Sequence, residues 1–208
     1  MDEKLVNNNI ENFAELLASP APAPGGGGAA ALAGAMAAAL CAMAARLTAG
    51  RKKYAHLKDR LDAVTDRADA IRRELLALID GDAEGFKPLA AAYSLPKDAP
   101  GYAGTMRAAT LEACRAPWEM LLCCRDAAEL LEEMLESSSP LLLSDVGCGA
   151  ALCRGAMEAA AMNIFVNTRS LKGDGEAEKL SCETRELLDI YTPRLQAVAD
   201  EVMRRLCM

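Results

Sequence analysis

Residues 24–50 read PGGGGAAALAGAMAAALCAMAARLTAG, and no charged residue falls between Gly25 and Arg46. Alanine is the strongest helix former and a weak strand former, so the run from Ala29 to Ala49 predicts a helix buried on nearly all sides. Its small residues, among them Gly34, Ala38, Ala42 and Ala45, let neighbouring backbones approach closely, which places this helix at the centre of a bundle. As a membrane span the uncharged stretch is short. Ala29 to Ala45 makes roughly 25 Å of helix against roughly 30 Å of hydrocarbon, and it is alanine rather than leucine.

The chain around this run has the same character. Hydrophobic residues make up 52 % of the 208 residues, aromatics only 4 % and alanine about a fifth, which argues against an all-β fold. A net charge of -7 and a pI near 4.9 oppose attraction to nucleic acid phosphates and anionic lipid, so neither is an expected partner. The eight cysteines fall in apolar helical stretches, and Met1-Asp2-Glu3-Lys4 lacks the basic-then-apolar order of a secretory leader. Buried free thiols in a cytoplasmic protein are the expectation.

Helical signals repeat along the chain between short breakers. A first helix covers Asn9 to Leu17 and stops at Ser19-Pro20, after which Pro20, Pro22 and Pro24 fix an extended approach to the glycines. A long amphipathic helix is expected from Lys52 to about Leu89, with possible breaks at Gly81 or Gly85. Further helices are expected from about Thr105 to Leu135, kinked at Pro117, and from Val146 to Leu171, capped by Ser144-Asp145. The last covers Ala177 to Leu206 with a bend at Pro193. The expected fold is all-α, a single domain over residues 1–208, with five to seven helices around the alanine-rich one.

Chemistry has few places to sit. A lone His56 excludes a multi-histidine zinc site, and the cysteine spacings (Cys123-Cys124, Cys148 and Cys153) put no two ligands on one helix face, so no metal is expected. Pro24-Gly25-Gly26-Gly27-Gly28 is either an anion site, with bare N–H groups at the positive end of a helix, or a tight turn that lets the buried helix start. Arg51-Lys52-Lys53-Tyr54 is the densest basic cluster, either complementing the helix C-terminus or contacting an anion. Asp145, Gly149, Leu152, Ala156, Ala160, Asn163 and Asn167 fall on one helical stripe, which puts two asparagines on a face of apolar or small residues. There Asp145 is a cap or a site residue, and the asparagines bond neighbouring backbone or a ligand.

Distance constrains how these parts combine. The helix from Ala29 to Ala49 is roughly 31 Å long, and Asp145 and Asn163 lie roughly 27 Å apart along theirs. A small ligand cannot touch both ends within one chain, so a site using both ends would be shared between subunits packed antiparallel.

Several blocks taken together are recognisable. Ala18-Ser19-Pro20 through Pro24-Gly25-Gly26-Gly27, Leu47-Thr48 through Gly50-Arg51-Lys52-Lys53-Tyr54, Leu95-Pro96-Lys97, Ser144-Asp145-Val146-Gly147, and Asn163 with Asn167 and Ser170-Leu171-Lys172 resemble the formiminotetrahydrofolate cyclodeaminase / methenyltetrahydrofolate cyclohydrolase family. The resemblance implies an all-helical dimer, or higher even oligomer, with folate sites between subunits. It also implies a tetrahydrofolate derivative as substrate and no prosthetic group. The expected reaction closes 5-formiminotetrahydrofolate to 5,10-methenyltetrahydrofolate with release of ammonia. The alternatives are methenyltetrahydrofolate cyclohydrolase and a noncatalytic folate-binding protein. On that resemblance Asp145 and Lys53 are assigned as catalytic, with the pterin near Asp145. Pro24, Gly25, Gly26, Gly27, Gly28, Tyr54, Asn163, Asn167 and Lys172 are assigned to substrate binding, the glycines on a carboxylate of the folate tail.

Overall fold

A computed structural model describes residues 4–208, so the reading of Met1-Asp2-Glu3 as carrying no leader lies outside the described residues. Six α-helices account for most of the chain, and no strand occurs among the described residues. They are α1 (Ile10–Ala18), α2 (Gly26–Ala49), α3 (Lys58–Tyr93), α4 (Tyr102–Ser137), α5 (Leu143–Thr168) and α6 (Gly175–Leu206). The all-α bundle expected from composition is what forms.

The alanine-rich run is α2, and it packs against α3, α4 and α5. It lies antiparallel to α5. Gly26 abuts Asn163 near one end, Gly149 faces Ala37 in the middle, and the Ser139 N–H donates to Thr48 Oγ1 at 3.0 Å near the other. Small residues set the spacing. A Cβ on Gly149 would stand 2.8 Å from Leu131 Cδ2 and 3.4 Å from the Ala37 carbonyl oxygen, so the two helices meet at nearly backbone distance.

Burial on nearly all sides does not hold for α2. Met36 and Leu47 are about half exposed and Met43 is exposed beside them, forming one stripe along the helix. On the neighbouring α5, Cys148, Leu152, Met162 and Val166 form a second exposed stripe. Leu152 therefore leaves the buried face predicted for it, where Gly149, Ala156 and Ala160 do lie. The physical reason is placement: α2 and α5 lie side by side and share one uncovered apolar face, while α3, α4 and α6 cover the rest. At 24 residues α2 is long and apolar enough to cross a membrane by length and composition, but most of its surface is covered by other helices.

Boundaries shift where packing overrides local signals. The basic cluster forms a separate 3-10 turn, Lys52–Leu57, so α3 starts at Lys58. Neither Gly81 nor Gly85 breaks α3, which runs on through Pro88 to Tyr93 because Leu78, Ile79, Leu89 and Ala92 are all buried against neighbours. Ser144-Asp145 is not a cap. A 3-10 turn, Pro140–Leu142, leads into α5 at Leu143, so Asp145 sits inside the first turn and complements the helix dipole from there. Asn9 and Asp174 are the side-chain caps, accepting from Asn12 N–H and from Glu176 and Ala177 N–H. Cys41, Cys114, Cys123, Cys124 and Cys153 are buried, whereas Cys148, Cys182 and Cys207 are exposed.

Candidate functional site

The glycine run is not a loop. Gly25 is the N-cap of α2, and Gly26 to Gly28 form its first turn. The anion that this bare helix end would attract is supplied from within the chain. Asp82 of α3 lies against Gly27, so closely that a Cβ there would stand 2.3 Å from its Oδ1. Its carboxylate accepts from the Gly28 N–H. Burial pushes the Asp82 carboxyl above the ordinary carboxylate range, and the Gly28 hydrogen bond only partly offsets this.

Asp82 lines a cavity of about 180 Å³ with Gly25, Gly26, Phe86, Asn163 and Asn167. The two asparagines assigned to substrate binding both line this cavity, and their orientations are set by the backbone. Asn163 Nδ2 donates to the Ala159 carbonyl at 2.8 Å. Pro117 lacks the N–H that would bond the Ala113 carbonyl within α4, and Asn167 Nδ2 reaches that carbonyl instead, at 3.4 Å. Only an amide nitrogen can donate to a carbonyl, so in both residues the Nδ2 side is tied to backbone and Oδ1 remains as an acceptor. The cavity thus gathers two amide oxygens and a carboxyl of raised pKa. Such a set suits a group rich in N–H donors and able to exchange a proton.

The other candidates are distributed elsewhere. Pro24 and Gly28 are buried and pack on each other, with a Cβ on Gly28 lying 3.1 Å from Pro24 Cβ, so their part is structural support. Gly27 seats Asp82, leaving Gly25 and Gly26 as the glycines that border the cavity. Lys172 lies in a separate groove of about 780 Å³ between α5 and α6, alongside Arg169 and Arg185. The Arg185 guanidinium stands 5.9 Å from the Phe165 ring centroid.

Lys53, Tyr54 and Asp145 sit at the opposite end of the α2–α5 pair. Lys53 is exposed with its Nζ 5.6 Å from the Tyr54 ring centroid. Among the described residues, Arg51, Lys52 and Lys53 form no ion pair, while most arginines of this acidic chain do, including Arg46 with Asp69 and Arg60 with Glu133. The expected separation within one chain therefore holds, at roughly 27 Å between the levels of Asp145 and Asn163.

Asp82 was missed because acids on an amphipathic helix ordinarily face water. A signal was present: Ile71, Leu75, Leu78, Asp82 and Leu89 share one stripe of α3, so the carboxyl interrupts a run of core positions.

Comparison with known proteins follows the same lines. A family profile described as Formiminotransferase-cyclodeaminase matches residues 9–186. A methenyltetrahydrofolate cyclohydrolase of Methylorubrum extorquens is 37 % identical over 186 residues, covering 88 % of this chain and 89 % of that one. A formimidoyltransferase-cyclodeaminase of Sus scrofa is 26 % identical over 98 % of this chain, which spans only 38 % of that longer protein. The crystal structure of formiminotetrahydrofolate cyclodeaminase from Thermotoga maritima superposes with a TM-score of 0.83 at 24 % identity, covering 98 % of both chains, a likeness of fold.

Proposed function

Because the chain belongs to the formiminotransferase-cyclodeaminase family, we propose that it is a folate one-carbon enzyme that closes 5-formiminotetrahydrofolate to 5,10-methenyltetrahydrofolate with release of ammonia. The observation that carries this reading is Asp82, a carboxyl of raised pKa held against the start of α2 in a cavity lined by amide oxygens. The protonated formimino group, N5–CH=NH2+, is a donor-rich cation that such a cavity would hold.

The chemistry needs one proton relay. N10 attacks the formimino carbon, forming the N10–C bond and a tetrahedral centre. The Asp82 carboxylate takes the proton from N10 and delivers it to the former imino nitrogen. The C–N bond then breaks, ammonia leaves with the electron pair, and the methenyl cation remains between N5 and N10. A carboxyl raised above the ordinary range is better suited to both halves of this relay than an exposed one. Asn163 and Asn167 would orient the amidinium through their free Oδ1 atoms.

The tail of a folate carries carboxylates, which Asp82 would repel. The unpaired cations at Arg51, Lys52 and Lys53 suit them, but those cations lie at the far end of the same chain. The uncovered apolar face of α2 and α5 supports a two-fold dimer in which the Asp82 end of one subunit meets the Lys53 end of its partner. This arrangement moves the pterin from Asp145 to Asp82 and the tail from the glycines to the basic turn. Asp145 would then act from the partner side, beside Lys53 and Tyr54.

A second reading, methenyltetrahydrofolate cyclohydrolase, is favoured by the 37 % identical relative of that name. It uses the same carbon and the same proton acceptor, with water in place of the amine. One assay separates the readings: gain of methenyl absorbance with ammonia release from 5-formiminotetrahydrofolate supports the first, and loss of that absorbance from methenyltetrahydrofolate above the uncatalysed rate supports the second. Folate binding with neither turnover would leave a noncatalytic binding protein.

A further inference from the structure

The far end of the α3–α4 hairpin is packed separately from the rest of the molecule. Leu89, Ala92, Ala109 and Ala113 form their own buried cluster, joined by Phe86 and Met106, distinct from the main core. Between the two clusters both helices carry weak points at one level. On α3 these are Gly81, Gly85 and Pro88; on α4 it is Pro117. The levels coincide because a Cβ on Gly81 would lie 3.9 Å from Ala116 Cβ, and one on Gly85 would lie 3.4 Å from the Glu112 carbonyl oxygen. Each proline leaves a carbonyl one turn back without its helical donor, which removes resistance to bending there.

Packing at this level is also loose. The Asp82 cavity opens on one side of the helix pair, and a second cavity of about 240 Å³, bordered by Gly81, Gly85, Pro88 and Glu112, opens on the other. Beyond the level, Arg107 of α4 bonds across to the start of α6. It donates to Asp174 Oδ1 at 3.3 Å and Glu176 Oε2 at 2.9 Å and pairs with Asp174 Oδ2. The Asn167 bond to Ala113 sits at the pivot itself, on the carbonyl that Pro117 leaves open.

We propose that the hairpin end, residues 86–113, pivots as a unit about Gly81 and Gly85 of α3 and Pro117 of α4 to open and close the Asp82 cavity, with the Arg107 ion pairs as its latch. Outward swing carries Phe86 away from Asn163 and stretches the 3.4 Å contact between Asn167 and the Ala113 carbonyl. Inward swing restores both and narrows the cavity around whatever occupies it. The gating role rests on the reading of the Asp82 cavity as the folate site; the pivot does not.

Hydrogen–deuterium exchange on the full chain tests the pivot. Amides of 86–113 are expected to exchange faster than those of 61–78 and 120–134. Arg107→Gln is expected to speed the first group about two- to fivefold further, the range set by loss of exposed ion pairs, and to leave the others unchanged. Gly85→Ala, whose added methyl fits at 3.4 Å and stiffens the helix, is expected to slow the first group. Equal protection of all three stretches, or no response to either variant, overturns the proposal. Stopped-flow binding of 5-formyltetrahydrofolate tests the gate: the association rate should rise in Arg107→Gln and fall in Gly85→Ala. Rates unchanged while exchange responds would overturn the gate, and absence of binding in the unaltered protein would overturn the folate reading with the pivot intact.

Discussion

Gly27→Ala places one methyl group where the structure has no room for it. The new Cβ would stand 2.3 Å from Asp82 Oδ1 and 2.4 Å from both Cγ and Oδ2, so the carboxyl must retreat by about 1 Å to regain ordinary contact. Retreat lengthens the hydrogen bond from Gly28 N–H, and overpacking of this kind costs about 1–3 kcal/mol, partly offset by about 0.5–1 kcal/mol from the better helix propensity of alanine. The expected net loss is about 1–2 kcal/mol, read by circular dichroism as a fall of about 2–6 °C in Tm. Turnover should suffer more than stability, because a 1 Å misplacement of a proton-transfer group costs about a hundredfold in rate. Gly25→Ala is the stability control, since a Cβ at Gly25 meets nothing within 4 Å and stability should stay within about 0.5 kcal/mol. Unchanged Tm together with full turnover in Gly27→Ala would refute the placement of Asp82 as the reacting carboxyl.

Other outcomes follow from the same geometry. Asp82→Asn should lower turnover by at least about a hundredfold. Burial raises the Asp82 pKa on folding, so its contribution to stability is complete below the unfolded pKa and is lost as pH rises through the folded value. Asp82→Asn should therefore gain stability relative to the unaltered protein at neutral pH and lose that advantage on acidification; a gap that widens in acid would contradict the assignment. Mixing inactive Lys53→Met and Asp82→Asn chains should restore about a quarter of full turnover, because half the dimers are mixed and each mixed dimer holds one intact shared site; no recovery after subunit exchange would count against sharing. Met36→Glu with Met162→Glu should convert a dimer to a monomer of 22.0 kDa in light scattering, and an unaltered protein already monomeric at full activity would sink the interface. Thiol titration offers an independent check: Cys207 should react at once, Cys182 more slowly because its hydrogen bond to Glu186 raises the thiol pKa, and Cys148 only in the monomeric variant. Burial pushes the Cys41 thiol to about 12 and Cys114 to about 11, so those two should react only on unfolding.

The helices were legible because their signal is redundant. Alanine content, an uncharged run and flanking glycines all point to α2, and the apolar spacing of α6 is carried by many residues at once. Single-residue signals were less dependable. Gly81 and Gly85 looked able to break α3, yet buried leucines on both sides hold it together. Ser144-Asp145 looked like a cap, yet the 3-10 turn before it had already started the helix. The asparagines were found because amides on a small-residue face need partners. Asp82 was overlooked because a helix stripe read for apolar residues passes over the one acid within it. The glycine run was left open between an anion site and a tight turn, and what the structure sets against it is the carboxyl of a side chain 55 positions downstream of Gly27.

The antiparallel pairing of α2 with α5 also bears on how the chain is made. Thr48 and Ser139, which meet near one end of that pair, are 91 residues apart, and Gly26 waits longer still for Asn163. At about 5–20 residues per second of synthesis, α2 stands without α5 for roughly 5–20 s after it emerges. During that interval the most apolar helix of the protein is covered only by α1, α3 and whatever part of α4 has appeared. The nascent chain, rather than the finished bundle, is therefore where this sequence is most exposed to aggregation or to capture by chaperones and membrane-targeting factors.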